Sequence, residues 1–355
     1  MVVRWIAAAA AFIIIAVIGI IGFNFEGESA GNSWALVAAI GLAVAFVVYA
    51  GIEYAQTGGF GSIAAQFDLR TLVLMPVAIA INIILGAAVA NALKIPIYLD
   101  SIGTILVGAL AGPIPGAITG FVANILWQYI IPPPFQGAVA APFAIVAAVI
   151  GLMAGIFARA GWLRPRTDRP MSQLLGGAFI TVLVILVVAW LAFLGYQEII
   201  GPAGLEVASD NALFVVLGWV ALLLVVATVV GLLALLFVRR DLTAAYVVVA
   251  GLVTGIVAAL ISAPISANLF GGVTGAGTDF LVAAFRQAGV DIGAATLGQG
   301  LISDPVDKIT TFFVVYLVIT AMARRTLARF PQGERLLEEG ETPPDDEGEW
   351  RGATA

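Results

Sequence analysis

Long apolar runs separated by short clusters of charge, Gly and Pro set the pattern of this chain. Runs at 4–23, 34–52, 71–93, 97–111, 113–131, 138–159, 174–197, 212–238, 243–263 and 306–326 hold no Asp or Glu in their interiors. They are apolar around the whole helical circumference rather than along one stripe, which places them in a membrane or a large helical assembly. A hydrocarbon layer about 30 Å thick takes roughly 20 apolar residues per helix, and the chain offers such runs repeatedly. The expectation is an all-α, polytopic membrane helix bundle of about ten transmembrane helices. The first run lies behind Arg4, is long for a signal-peptide core and has no A-x-A cleavage site after it, so it reads as a retained helix. The run at 97–111 is short enough to be re-entrant.

The connectors between the runs are polar. They comprise 24–33 with Glu26 and Glu28, a Gly-containing stretch from Glu53 to Leu69, and an arginine cluster at Arg159, Arg164, Arg166 and Arg169. An acidic loop with Glu198, Glu206 and Asp210, then Arg239 and Arg240, and a long Gly-rich stretch from Ser266 to Ser303 complete them. Ten spans put alternate connectors on one side. Arg4, Arg70, the Arg159–Arg169 cluster, Arg239, Arg240, Arg324, Arg325 and Arg329 share that side, against Lys94, Arg286 and Lys308 on the other. The positive-inside rule then makes both termini cytoplasmic and the protein a multi-pass cell-membrane protein.

Composition narrows the chemistry. Hydrophobic residues make up 61% of the 355 and charged ones 11%, which is no soluble domain. The net charge of -6 belongs to the end of the chain: from Glu334 onward eight acidic residues face Arg335 and Arg351, and the rest is balanced. No basic patch offers itself to nucleic acid. Without Cys or His there is no disulfide, thiolate nucleophile or imidazole base, and no metal or cofactor is expected. An intramembrane enzyme or an ion-coupled transporter would need ionisable groups facing each other inside the spans, so the chain reads as a non-enzyme. Gly271–Thr278 is glycine-rich but lacks the G-K-[ST] ending of a phosphate loop, which leaves a flexible lid.

The stretch Lys94–Pro134 gathers polar groups where apolar segments end: Tyr98 and Asp100 before it, Gln128 and Pro132–Pro134 after it. Asn124 and Gln128 are four apart and share a helix face, with Trp127 within a turn. They could stack and hydrogen-bond a flat heterocycle, or serve as interhelical hydrogen bonds and an interfacial Trp. Asn82, deeper, reads as an interhelical bond. Lys94, Arg286 and Lys308 would hold an anionic or strongly polar ligand group, or else snorkel to the interface. Asp304 before Pro305, with Asp307 three residues on, reads as a capped helix start, and Asp307 could pair with Lys308. Two stripes of small residues run along 71–93: Ala78, Asn82, Gly86 and Ala90, and Ala80, Ile84, Ala88 and Ala92.

The segment Ile95–Thr104 (IPIYLDSIGT), the Gly112-Pro113 break and the Gly120…Asn124 stretch resemble the substrate-binding S components of energy-coupling-factor (ECF) transporters. Ser262–Ser266 (SAPIS), Phe270–Asp279 and Ser303–Lys308 (SDPVDK) agree with that resemblance, which covers roughly Arg70 to Phe330. It implies a six-helix core that binds a vitamin-like small molecule from outside, under loops at 94–99, 131–137 and 264–303. It implies partners too: a transmembrane coupling subunit and two ATPases. On this reading the substrate-binding candidates are Lys94, Tyr98, Asp100, Asn124, Trp127, Gln128, Asn268, Asp279, Arg286, Asp304, Asp307 and Lys308. Ala88 and Ala92 match the family's partner-docking Ala-xxx-Ala pattern in form. The chain divides into an N-terminal transmembrane hairpin and connector (1–69), an S-component-like domain (70–330, with an inserted hairpin at 174–238), and an acidic disordered cytoplasmic tail (331–355). Four helices beyond six depart from the family. A membrane ligand receptor or sensor, or a solitary carrier, is the alternative reading.

Overall fold

The computed structural model describes residues 2–22, 30–92, 97–130, 138–197, 212–274 and 278–338, and these are helical, with no strand among them. The helices are α1 (Val2–Gly22), α2 (Ala30–Thr57), α3 (Gly61–Ala64), α4 (Leu69–Ala92), α5 (Ile102–Ala111), α6 (Pro113–Ile130) and α7 (Ala144–Arg159). They continue as α8 (Met171–Gln197), α9 (Ala212–Phe237), α10 (Thr243–Phe270), α11 (Asp279–Gln287), α12 (Ile292–Ala321) and α13 (Arg324–Ala328). Leu36–Thr57, Leu69–Gly86, Ala140–Arg159, Met171–Trp190 and Thr243–Phe270 are long and apolar enough to cross a membrane. Each of the ten expected runs overlaps a helix, but 97–101 is a non-helical connector and α5 begins only at Ile102. Val226 and Val230 on α9 and Phe179 and Trp190 on α8 point outward, as lipid-facing side chains do.

Glycine sets how closely the central helices approach. Gly251, Gly255 and Ala259 lie four apart on α10 and meet Ile309, Pro305 and Gly300 of α12. A Cβ on Gly255 would lie 2.5 Å from the Pro305 nitrogen, so only glycine lets the two backbones touch there. Gly151 and Gly155 of α7 form a second seam against Gly116 and Pro113 of α6, and Gly108 of α5 reaches Gly151. Among the described residues α10 with α12 and α6 with α7 pack over the longest stretches.

α5 holds ten residues, so at 1.5 Å per residue it reaches about halfway through a bilayer. It is buried almost throughout, and its ends need partners that lipid cannot supply. At its start, Asn82 of α4 donates to Thr104 Oγ1 at 2.7 Å and accepts from the Gly103 N–H at 2.7 Å. That is the interhelical bond expected of Asn82. At its end the chain turns through Gly112 with φ of 134°, and two glutamines complete the break. Gln332 donates to the carbonyl of Gly108 at 2.9 Å, while Gln66, beyond α3, accepts from the Ile114 N–H at 3.2 Å.

Three sequence expectations are corrected. First, the tail does not begin at 331: Gln332, Leu336 and Leu337 are buried, and Arg164 donates to the Leu337 carbonyl at 2.8 Å. The part that lies outside the described residues starts at 339. Second, α2 continues through Glu53, which is buried, sits 3.5 Å from Arg4 and accepts from the Ser62 N–H at 2.6 Å. Third, 266–303 is no open connector. α10 extends to Phe270, α11 occupies Asp279–Gln287, and α12 starts at Ile292, capped by Asp291, which accepts from the Ala294 N–H at 3.0 Å.

Candidate functional site

α12 passes straight through Asp304 and Pro305, so Asp304 is not an N-cap and Asp307 completes no capping box. The Asp-Pro pair imitates a helix start because Pro lacks the N–H that a first-turn residue leaves unused. Inside a helix the same lack frees one carbonyl and bends the chain. Asp304 therefore lies within a helix, as Asp307 and Lys308 do, where the sequence pattern had placed it at a helix start.

Asp307 is fully buried and organises the connector before α5. It accepts from the Leu99 N–H at 2.8 Å and the Tyr98 N–H at 3.2 Å through one oxygen, and it pairs with Lys308 through the other. Leu99 stands at φ 50°, a left-handed conformation that costs a branched side chain about 1–2 kcal/mol. Burial of Leu99 and Ile97 against Leu224, Val225 and Val306 offsets that cost. The expected Asp307–Lys308 pair is present, but Asp307 also serves as the anchor of 97–100.

Lys308 donates to Ser101 Oγ at 3.0 Å and lies 3.8 Å from Asp100. Its side chain is 4% exposed, so its charge is spent inside the protein rather than offered to an anion or snorkelled to an interface. Asp100 keeps 32% of its side chain exposed. Burial pushes its carboxyl above the ordinary aspartate range; Lys308 opposes that shift and Asp307 reinforces it. The Tyr98 hydroxyl shares a hydrogen bond of 2.9 Å with Thr278 Oγ1, at the start of α11. Burial, then the charge of Asp304, raise the Tyr98 phenol so that it stays neutral.

α6 brings the aromatic wall. A Cβ on Gly86 would meet the Trp127 ring within 2.5 Å and the Asp100 Cβ at 2.9 Å, so α4, Trp127 and Asp100 converge on one point. Asn124, one turn earlier, has its Oδ1 buried without a hydrogen-bond partner among the described residues. Gln128 is half-buried on the same face. Asp304 is 6% exposed, and among the described residues its carboxylate receives only a 3.4 Å contact from Ser303 Oγ. That hydroxyl donates instead to the Gln299 carbonyl at 3.0 Å.

Tyr98, Asp100, Trp127, Asp304, Asp307 and Lys308 thus come together, with Asn124 one helical turn from Trp127. Asn268 and Arg286 serve their own loops, while Asp279 holds its own loop and its charge also acts on Tyr98. Asn268 donates to the Pro264 carbonyl at 2.9 Å, Asp279 accepts from the Thr274 N–H at 3.0 Å, and Arg286 donates to the Val290 carbonyl at 2.9 Å. Lys94 and the loop at 131–137 lie outside the described residues, as do the side chains of Ala88 and Ala92. The Ala78 stripe packs inside the bundle, Ala78 against Gly103 and Gly86 against Trp127. On the other stripe Ala80 and Ile84 are exposed. Sequence reasoning missed Ser101, Thr278, Gln299 and Ser303, small polar residues whose only signal was their nearness to charged ones.

No protein-family model, curated protein or solved structure significantly matches this chain. Among the described residues no group of three His, Cys, Asp or Glu is placed to hold a metal ion.

Proposed function

We propose that this chain is the membrane-embedded, substrate-binding subunit of an ECF-type importer. It captures a vitamin-like small molecule from outside and passes it inward with a coupling subunit and two ATPases. The observation that carries the binding role is the polar site at the junction of 97–101, α6 and α12. Buried polar groups normally have partners. Among the described residues Asn124 Oδ1 has no partner and the Asp304 carboxylate only a 3.4 Å contact, as they would in a site completed by a ligand.

The importer role rests on the resemblance of the 95–124 and 262–308 stretches, on the absence of any P-loop motif in the sequence, and on the outward stripe of α4. Exposed Ala80 and Ile84 lead along that stripe toward Ala88 and Ala92, which on this reading dock the coupling subunit. The chain crosses the membrane about ten times, with the arginine-rich connectors and both termini in the cytoplasm. α4, α5, α6, α7, α10 and α12 are the six-helix core, with α1–α2 and α8–α9 as added hairpins.

Native mass spectrometry of the protein extracted gently from its own membranes tests the importer role. Co-purified ATPases and a helical coupling subunit support it. Repeated recovery of the chain without them under mild extraction contradicts it and leaves a receptor or a solitary carrier.

A further inference from the structure

The charge balance of the site differs from what its lysines suggest. Asp100, Asp304 and Asp307 converge on one ammonium, that of Lys308, which Asp307 and Asp100 already neutralise. Counting Lys94 as well would still leave the carboxylates in excess, and Arg286 is engaged at the far end of α11. Asp304 is the group left over. It is more than nine-tenths buried, with no cation or strong donor of its own among the described residues, and it lies within electrostatic reach of Tyr98, Asp100 and Lys308. An uncompensated buried carboxylate is costly and is relieved either by a proton or by a cation; the protein supplies no further cation among the described residues, so a cation here would come from a ligand.

A second, independent feature points the same way. Among the described residues Asn124 Oδ1 is an acceptor without a donor. The Trp127 indole, packed on Gly86 beside Asp100, supplies the negative face of a π-system. Two acceptors short of donors and an indole suit a positively charged nitrogen that carries N–H or N-alkyl groups. The carboxylates are not grouped as metal ligands, which favours an organic cation over an ion.

We propose that this site selects a small ligand by a cationic nitrogen, seated between Asp304, Asp100 and Trp127, with Asn124 accepting one hydrogen bond from it. This deepens the binding reading above and does not depend on the ATPase partners. The expectation that Lys308 receives an anionic group is thereby replaced.

Three probes of one shape and different charge test the proposal on the purified full chain: benzylamine, benzyl alcohol and benzoate, followed by thermal shift and calorimetry at neutral pH. Benzylamine is expected to bind roughly tenfold more tightly than benzyl alcohol, the size of one favourable charge contact, and benzoate is expected to bind most weakly. Asp304→Asn should remove the preference for the amine over benzyl alcohol. Asp100→Asn, on the more exposed carboxylate, should reduce the preference even if Asp304→Asn does not fold. Equal binding of amine and alcohol, tighter binding of benzoate, or binding of none of the three at millimolar concentration overturns the proposal. Failure here with ATPases co-purified would remove the cationic class and leave the importer standing. Success without those partners would do the reverse.

Discussion

Asp307 on α12 accepts from the Leu99 backbone N–H at 2.8 Å, across 208 positions of sequence, and so fixes the connector that carries Tyr98 and Asp100. One side chain thus holds the loop in place and neutralises Lys308. Removing one partner of a buried pair costs about 3–5 kcal/mol, because the other charge stays buried alone. Asp307→Ala is expected to lose that much in denaturant titrations in detergent. Asp307→Ala with Lys308→Met should recover part of it, since no charge is then stranded. Equal losses in the single and double variants would show that the pair is not what holds the site.

The α10–α12 seam should be intolerant of bulk. Gly255→Val places atoms where Pro305 lies and is expected to cost about 1–3 kcal/mol, as overpacking does, and to weaken ligand binding by displacing Asp304. Gly176→Ala in α8, with nothing within 4 Å of the added carbon, should leave stability level or raise it by up to about 1 kcal/mol. Comparison of the two melting curves checks the seam.

The segment after α13 is part of the fold. Truncation after Glu338 keeps Gln332, Leu336 and Leu337 and serves as the reference. Truncation after Pro331 removes the Gln332 bonds to α5 and the buried Leu336 and Leu337, whose burial alone is worth roughly 3–6 kcal/mol. Gln332→Ala should cost about 1–3 kcal/mol, the penalty for stranding carbonyls, and speed hydrogen exchange near Gly112.

Acid should weaken binding of a cationic probe. The Asp100 carboxyl lies above the ordinary aspartate range, so on acidification it takes up its proton earlier than a free aspartate would. Its surroundings are Lys308, Asp307, Asp304 and Tyr98, and of these Asp307 and Lys308 act most directly. Once protonated it no longer attracts a cation, so benzylamine affinity falls as pH drops, while benzyl alcohol affinity stays flat. Titration calorimetry across mildly acidic to neutral pH reads this directly, and Asp100→Asn should make the profile shallower, with Asp304 carrying what remains.

Much of the architecture was legible because burial in lipid imposes uniform apolarity on whole helices. Ten apolar runs predict ten spans; each run overlaps a helix, and five of these helices are long and apolar enough to cross a membrane. The pairing of Asp307 with Lys308, the bond of Asn82 and the small-residue packing of Ala78 and Gly86 were also readable, since each follows from spacing on one helix. The course of α12 was not. Asp304, Pro305 and Asp307 obey the local grammar of a helix start, and only the seam with Gly255, distant in sequence, shows that the helix continues. Glu53 was lost similarly, because a charge that ends an apolar run looks the same whether it is solvated or paired with Arg4. Gln332 had no signal at all: a buried glutamine in a polar stretch is recognised by the broken helix it completes, and that helix lies more than 200 residues earlier. The neutralisation of Lys308 by Asp307 and Asp100 was only half legible, because Asp100 lies more than 200 residues away in sequence.

The central claim is that the junction of 97–101, α6 and α12 is a ligand site. Its most direct test is the mass of small molecule retained by the wild-type chain, by Asn124→Ala and by Asp100→Ala after identical mild purification. The account predicts a defined mass on the wild type, depleted in both variants, with the proteins equally folded by circular dichroism. An equal mass on all three, or none on the wild type under the mildest extraction, would contradict it.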